Sequence, residues 1–311
     1  MAHATPTSWS ATLRWRERAK TLDPRYLIAL LISLVLVAAQ FRYGVVGGYD
    51  RLVLALLTCL ATEALLSWFM RGTIVNLSSA YISGLSLTLL IKPQGGALWP
   101  FALGGFLAIA SKYVVQYRRH HLWNPTNFAI CALLLAAPNR VSVLSQQWGN
   151  DLTTNAIIWC FGLVIASRVR VIHVTLTYVA CFLLFAGFRS AVVGQPLLPE
   201  LAPITGPMYQ LFVFFMITDP RTIVSQRRWQ VVVAALVAAM ETVIRVASDQ
   251  QWPLPTAFNA APPLLALAMV GPVAKWIDLR RSPQEKAGDH AHQDLDQRHR
   301  SPESDGYQAR Q

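Results

Sequence analysis

Long apolar runs separated by short polar breaks recur along almost the whole chain. They lie at roughly 26–41, 50–70, 77–91, 98–116, 125–138, 155–168, 171–188, 205–219, 229–246 and 256–277, each near the length of a membrane-spanning helix. A soluble domain could not bury so many. The pattern predicts an all-α polytopic membrane protein of about ten transmembrane helices. The runs 77–91, 125–138 and 205–219 are short, which in transporter-like folds marks broken or re-entrant helices.

The flanks differ from this membrane domain, 26–281. Residues 1–25 are polar and carry Arg14, Arg16, Arg18, Lys20 and Arg25. No small-residue cleavage site follows the first apolar run, so the pattern predicts a cytoplasmic segment and a signal anchor. Residues 282–311 are Ser, Pro, Gln, His, Asp and Arg with almost nothing apolar. Such a segment cannot bury enough surface to offset chain entropy and is expected to be a disordered cytoplasmic tail. Its His290 and His292 read as solvated.

Composition agrees with the class, at 54% hydrophobic and only 14% charged residues. The formal charge of +11 changes the picture in one respect. Of 27 Lys and Arg, all but Arg42, Arg51, Lys92, Arg140, Arg189 and Arg245 fall on one side of a ten-span topology. The positive-inside rule then puts both termini in the cytoplasm of a multi-pass protein of the cell inner (plasma) membrane. The basic residues lie between apolar runs rather than on one face, so acidic lipids fit them and nucleic acid does not.

The chain also repeats itself. The third span ends Leu89-Leu90-Ile91-Lys92-Pro93 and the eighth ends Met216-Ile217-Thr218-Asp219-Pro220. The fifth opens Asn124-Pro125-Thr126-Asn127 and the tenth Phe258-Asn259-Ala260-Ala261-Pro262. Five is an odd number, so the halves would insert in opposite senses as a five-plus-five inverted repeat, with a ligand site expected at their interface.

Within that frame, Asp219 and Thr218 are the leading binding residues. Pro220 cannot donate a backbone hydrogen bond and disfavours the α region at Asp219, so an aromatic helix must stop there with a carboxylate at its end. The simpler reading is a solvated cap at the membrane surface. Asn124 and Asn127 would face it if the repeat brings the fifth helix opposite, and a helix opening with free N–H groups suits a phosphate or carboxylate. Glu63, Lys112 and Glu241 are ionisable residues inside spans, where charges find partners. Glu241 and Arg245 are spaced for a local ion pair. His120 and His121 are adjacent and cannot face one ligand along a helix; with Arg118 and Arg119 they read as a lipid-facing basic edge. Cys59, Cys131, Cys160 and Cys181 lack paired spacing and read as small hydrophobes, and no metal site is expected.

Several of these residues form a resemblance. Ser83-Gly84-Leu85-Ser86-Leu87-Thr88-Leu89-Leu90-Ile91-Lys92-Pro93, then Lys112, Trp123-Asn124-Pro125-Thr126-Asn127, Phe214-Phe215-Met216-Ile217-Thr218-Asp219-Pro220 and Val243-Ile244-Arg245-Val246 follow in order. Over roughly residues 50–280 they resemble the D/B membrane subunits of the Rnf and sodium-translocating NADH:quinone reductase complexes, the RnfD/NqrB superfamily. Asn-Pro-x-Asn-Phe and Gln147-Trp148-Gly149 are most similar to the UnbU-type branch, associated with enediyne biosynthesis. The resemblance implies an inverted-repeat fold, also similar to urea transporters, and flavin-associated electron transfer beside other membrane subunits, with or without ion translocation. It also implies an FMN or riboflavin site, for which Lys112, Asn124, Asn127, Thr218 and Asp219 are the expected residues. Lys112 would meet the fifth helix or an anionic flavin group, or else snorkel to the inner surface.

One departure matters. Flavinylated relatives carry an Asp-x-x-Ser-Gly-Ala-Thr type acceptor, whereas this loop reads Trp148-Gly149-Asn150-Asp151-Leu152-Thr153-Thr154-Asn155. Covalent flavin is therefore not expected, and the polar residues read as caps of the sixth helix. Two rival readings remain: a channel or carrier for a small solute, and a redox-silent assembly scaffold.

Overall fold

The computed structural model describes residues 24–143 and 152–300, with side chains over 26–143, at 153 and over 155–281. The N-terminal segment to residue 23, the loop 144–151 and the end from 301 lie outside the described residues. A helical segment coincides with each predicted span. In chain order these are α1 (Pro24–Tyr43), α2 (Tyr49–Arg71), α3 (Ser78–Leu90), α4 (Trp99–Val114), α5 (Pro125–Ala136), α6 (Leu152–Arg168) and α7 (Ile172–Val193). The short α8 (Leu197–Leu201) is followed by α9 (Pro207–Leu211), which continues as a π turn over Phe212–Met216. Then come α10 (Arg227–Asp249), α11 (Thr256–Ala260) and α12 (Pro262–Arg300). The helix α12 runs on through 282–300, much of the segment where composition leads one to expect disorder. Good helix formers there, such as Gln284, Glu285, Lys286 and Ala287, allow it locally.

Among the described residues, five helices are long and apolar enough to cross a membrane: α1, α2, α7, α10 and α12 up to Arg281. At 23 residues, α2 and α10 extend about 35 Å, more than a hydrocarbon core, whereas the 13 residues of α3 reach only about 20 Å. Large apolar side chains stand exposed around the outside, among them Leu57, Leu65, Leu176, Leu184 and Val243. That is the surface of a protein solvated by lipid rather than water.

Some helix contacts recur in the two halves of the chain. α1 contacts α3, α2 contacts α4 and α4 contacts α5. Later in the chain α6 contacts α9, α7 contacts α10 and α10 contacts α12. Between the sets, α1 meets α6, while α5 meets α11 and α12. Small residues permit the closest approaches, as is usual where lipid supplies no hydrophobic drive. A Cβ on Gly84 would lie 3.2 Å from the Leu56 Cα of α2, so α3 and α2 touch backbone to backbone.

The short helices end in breaks. After α3 the chain extends as β1 (Ile91–Pro93), paired antiparallel with β4 (Val141–Val143) beyond α5. After the π turn it folds back at Asp219-Pro220. Between α4 and α5 lies a small hairpin of β2 (Gln116–Tyr117) and β3 (His120–His121). This hairpin departs from the expected lipid-facing edge. Successive residues of a strand point to opposite faces, so His120 is exposed while His121 turns inward and is half-buried.

Candidate functional site

Asp219 ends the aromatic helix as its Pro220 requires, and the carboxylate organises the turn that follows. Its Oδ1 accepts from the Arg221 N–H at 3.1 Å and its Oδ2 from the Thr222 hydroxyl at 3.1 Å. The backbone N–H groups of Thr222 and Ile223 donate to the Asp219 carbonyl. From 95 residues away, Asn124 Nδ2 donates to Asp219 Oδ2 at 3.0 Å. Asn124 is also the N-cap of α5, its Oδ1 accepting from the Asn127 N–H at 3.0 Å. A single side chain therefore fixes the start of one broken helix against the end of another.

Beside this junction lies a cavity of about 350 Å³, within the size of small-molecule sites. Ile28, Ile32, Leu211, Phe214 and Phe215 make its apolar walls, and Asn124, Thr126, Thr218, Asp219, Arg221 and His121 its polar edge. Ser79, Ser83 and Ser86 line it from one face of α3. Phe214 is held by a T-shaped contact with Trp159 at 5.1 Å. It also lies over Gly162, where a Cβ would fall 2.3 Å from its ring. The π turn that carries Phe214 is a distortion often found at functional sites.

The five residues expected to bind are not all brought together. Asn124, Thr218 and Asp219 line the cavity. The Thr218 hydroxyl donates to the Phe214 carbonyl at 2.5 Å and so serves the helix end first. Asn127 is fully buried one turn further along, beside a small cavity of about 30 Å³, and its Nδ2 has no hydrogen-bond partner among the described residues. Lys112 stands behind the wall. Its Nζ donates to Glu63 Oε2 at 2.8 Å and to Ser79 Oγ at 3.1 Å, and the Tyr113 hydroxyl donates to Glu63 Oε1 at 2.8 Å. It meets neither α5 nor the inner surface by snorkelling. Ser79 also accepts from Arg221 Nη1 at 3.4 Å, a long contact joining the ion pair to the cavity edge.

A second buried ion cluster occupies the other set of helices. Glu241, fully buried, accepts from Arg245 Nε at 2.9 Å in the expected i,i+4 pair. It also accepts from the hydroxyls of Tyr178 and Tyr209, and Arg245 Nη2 donates to the Tyr209 oxygen. Arg189 is buried rather than set in a loop and pairs with Glu200 at 2.5 Å.

Sequence reasoning missed Ser79, Ser83, Ser86, His121 and Arg221. The three serines had a legible signal, since their spacing puts them on one face of an apolar helix. His121 had none, because its direction depends on the hairpin. Burial, with Arg221 and Lys112 close by, holds its imidazole below the ordinary histidine value. Its Nδ1 is buried with no hydrogen-bond partner among the described residues. Of the loop expected to lack a flavin acceptor, Asp151 lies outside the described residues, Thr153 is exposed in the first turn of α6, and Asn155 Oδ1 accepts from Gln210 Nε2 at 2.9 Å. No protein-family model and no curated protein matches the chain.

Proposed function

We propose that this chain is a membrane subunit that holds a flavin non-covalently in the cavity beside Asp219 and takes part in electron transfer within a larger complex. The membrane would be the cell inner membrane, with both termini cytoplasmic and the two sets of helices related as an inverted repeat. The observation that carries the reading is the cavity itself. An apolar slot with two phenylalanines and one polar edge, at the meeting of two broken helices, suits a planar ring system with heteroatoms along one side. The unpartnered Nδ1 of His121 on that edge is an orphaned group that a ligand would satisfy.

The residues present fit a flavin. Phe214, Phe215, Ile28 and Ile32 would hold its ring and exclude water, while Asn124, Asp219 and His121 are available to its polar edge. Bound there, the flavin would supply one- and two-electron redox chemistry. Asn124 already holds the Asp219 carboxylate in place, so that carboxylate can accept from a ligand N–H without rearrangement. The electron-transfer role and the association with RnfD/NqrB-type subunits, including the enediyne-linked branch, rest on the motif resemblance. A carrier for a small solute is the second reading, because a cavity at the seam of two broken helices is also where carriers bind.

The protein purified in mild detergent is expected to show flavin absorbance and to release all of it on denaturation. Asp219→Asn keeps the turn but removes the charge. It should lower flavin occupancy about tenfold, the scale of one charge-assisted hydrogen bond of about 1.5–3 kcal/mol, with near-normal expression. Colourless protein whose vesicles take up a small solute would establish the carrier instead. Flavin retained after denaturation would mean that the loop of Thr153 and Thr154 is an acceptor after all.

A further inference from the structure

A second cavity, of about 520 Å³, adjoins the first and shares His121, Val169, Val171, Pro220 and Arg221 with it. The ionisable side chains in its lining are Arg119, His120, His121, Arg221 and Lys275, with no carboxylate among them. The nearby acids are engaged. Asp219 is bound to Asn124, Thr222 and the Arg221 N–H. Asp278 lies 3.9 Å from Lys275 Nζ and accepts from the N–H and hydroxyl of Ser225. Lys275 Nζ itself donates to the Ile223 carbonyl at 2.6 Å. The first chamber is apolar with a polar edge, and this vestibule is basic.

The hairpin that supplies Arg119 is strained. Arg118 has φ of 50° and Arg119 has φ of 65°. Two consecutive left-handed residues in a two-residue hairpin ordinarily call for Asn-Gly or Gly-Gly. Arginine at both positions costs stability, and strain held in this way marks sites where the side chain is needed. Arg118 has a structural task, its Nη1 donating to the Leu279 carbonyl at 3.0 Å. Arg119 stands exposed at the vestibule.

We infer that the ligand of the seam cavity is amphipathic, with its apolar body in the inner chamber and a phosphate-class anionic head in the vestibule of Arg119, His121, Arg221 and Lys275. For the body this rests on the flavin reading; for the head it does not. The same head chemistry is offered by a flavin phosphate and by an anionic phospholipid.

The test reconstitutes the full chain in nanodiscs and titrates riboflavin and riboflavin 5′-phosphate, following flavin fluorescence, with and without inorganic phosphate as competitor. In parallel, native mass spectrometry compares lipid retained from phosphatidylglycerol and from phosphatidylcholine discs. The phosphate ester is expected to bind at least about tenfold more tightly than riboflavin, one charge-assisted contact in scale. Arg119→Gly should erase that margin, leave riboflavin affinity unchanged, and leave thermal stability equal or higher because glycine relaxes the turn. Equal affinity for the two flavins, with no retained phosphatidylglycerol, overturns the inference while the flavin reading stands. Binding of neither flavin, with phosphatidylglycerol retained and released by Arg119→Gly, removes the flavin reading and identifies a lipid head. Binding of none of these ligands overturns both. An Arg119→Gly protein that is less stable with its phosphate preference intact overturns the vestibule assignment alone, and the flavin reading stands.

Discussion

The chain breaks a helix at Pro93 and again at Pro220, and it closes the two breaks differently. After α3, β1 pairs with β4, Gln94 N–H donates to the Arg140 carbonyl, and the Ser142 hydroxyl donates to the Lys92 carbonyl at 2.9 Å. Backbone bonds close that break, with Ile91 and Pro93 buried and Lys92 turned out. After the π turn no strand forms. A carboxylate, an asparagine and a lysine close the second break, and the cavity opens beside it. A ladder satisfies every group with another part of the backbone and leaves nothing for a ligand. Side chains at a break can be shared with one, so the second break carries the candidate site.

The buried charges repeat the contrast. Lys112 and Glu63 are 3% and 7% exposed, whereas Arg245 of the second cluster is 20% exposed. One cluster lies between α2 and α4 and the other between α7 and α10, with one tyrosine hydroxyl added to the first and two to the second. The carboxylate and the cation stand on separate helices in the first and on one helix in the second. The first pair therefore joins two helices, and the second fixes two tyrosines to one helix.

The largest expected effect separates these clusters. Glu63→Gln removes the countercharge from buried Lys112 and should cost about 3–5 kcal/mol, as breaking a buried pair does. Glu241→Gln leaves Arg245 partly in contact with its surroundings and still beside Tyr209, so the loss should be about 1–3 kcal/mol. Thermal unfolding of the two variants in one detergent decides it; equal losses, or a larger loss at Glu241, would break the comparison.

Next in size is Gly162→Ala. The added methyl meets the Phe214 ring, which must move into the cavity at an overpacking cost of about 1–3 kcal/mol. Ligand affinity should fall with the protein still folded. An unchanged affinity would show that Phe214 is no wall of the binding site.

The smallest effect is expected at the closed break. Ser142→Ala removes an exposed hydrogen bond to Lys92, for a change of about 1 kcal/mol or less, and should leave ligand binding untouched. Set beside Asp219→Asn, it tests whether only the second break serves a ligand. A Ser142→Ala protein that loses ligand as strongly as Asp219→Asn would end the distinction.

What the sequence determined by itself was local. Apolar length placed the helical segments, and prolines set where α3 and the aromatic helix stop. The i,i+4 spacing of Glu241 and Arg245 was enough for their ion pair. Each of these signals acts within a few residues, where helix geometry alone decides which groups meet. Tertiary structure decided the rest. It paired Lys112 with Glu63 across 49 residues rather than with a ligand, and set Asn124 against Asp219. It also turned His121 inward on a hairpin while its neighbour His120 faces out. A charge buried in a bundle must take whichever partner the rotation and depth of the next helix bring within about 3 Å. Those two quantities are set by packing over whole helix faces, so no stretch of sequence records them.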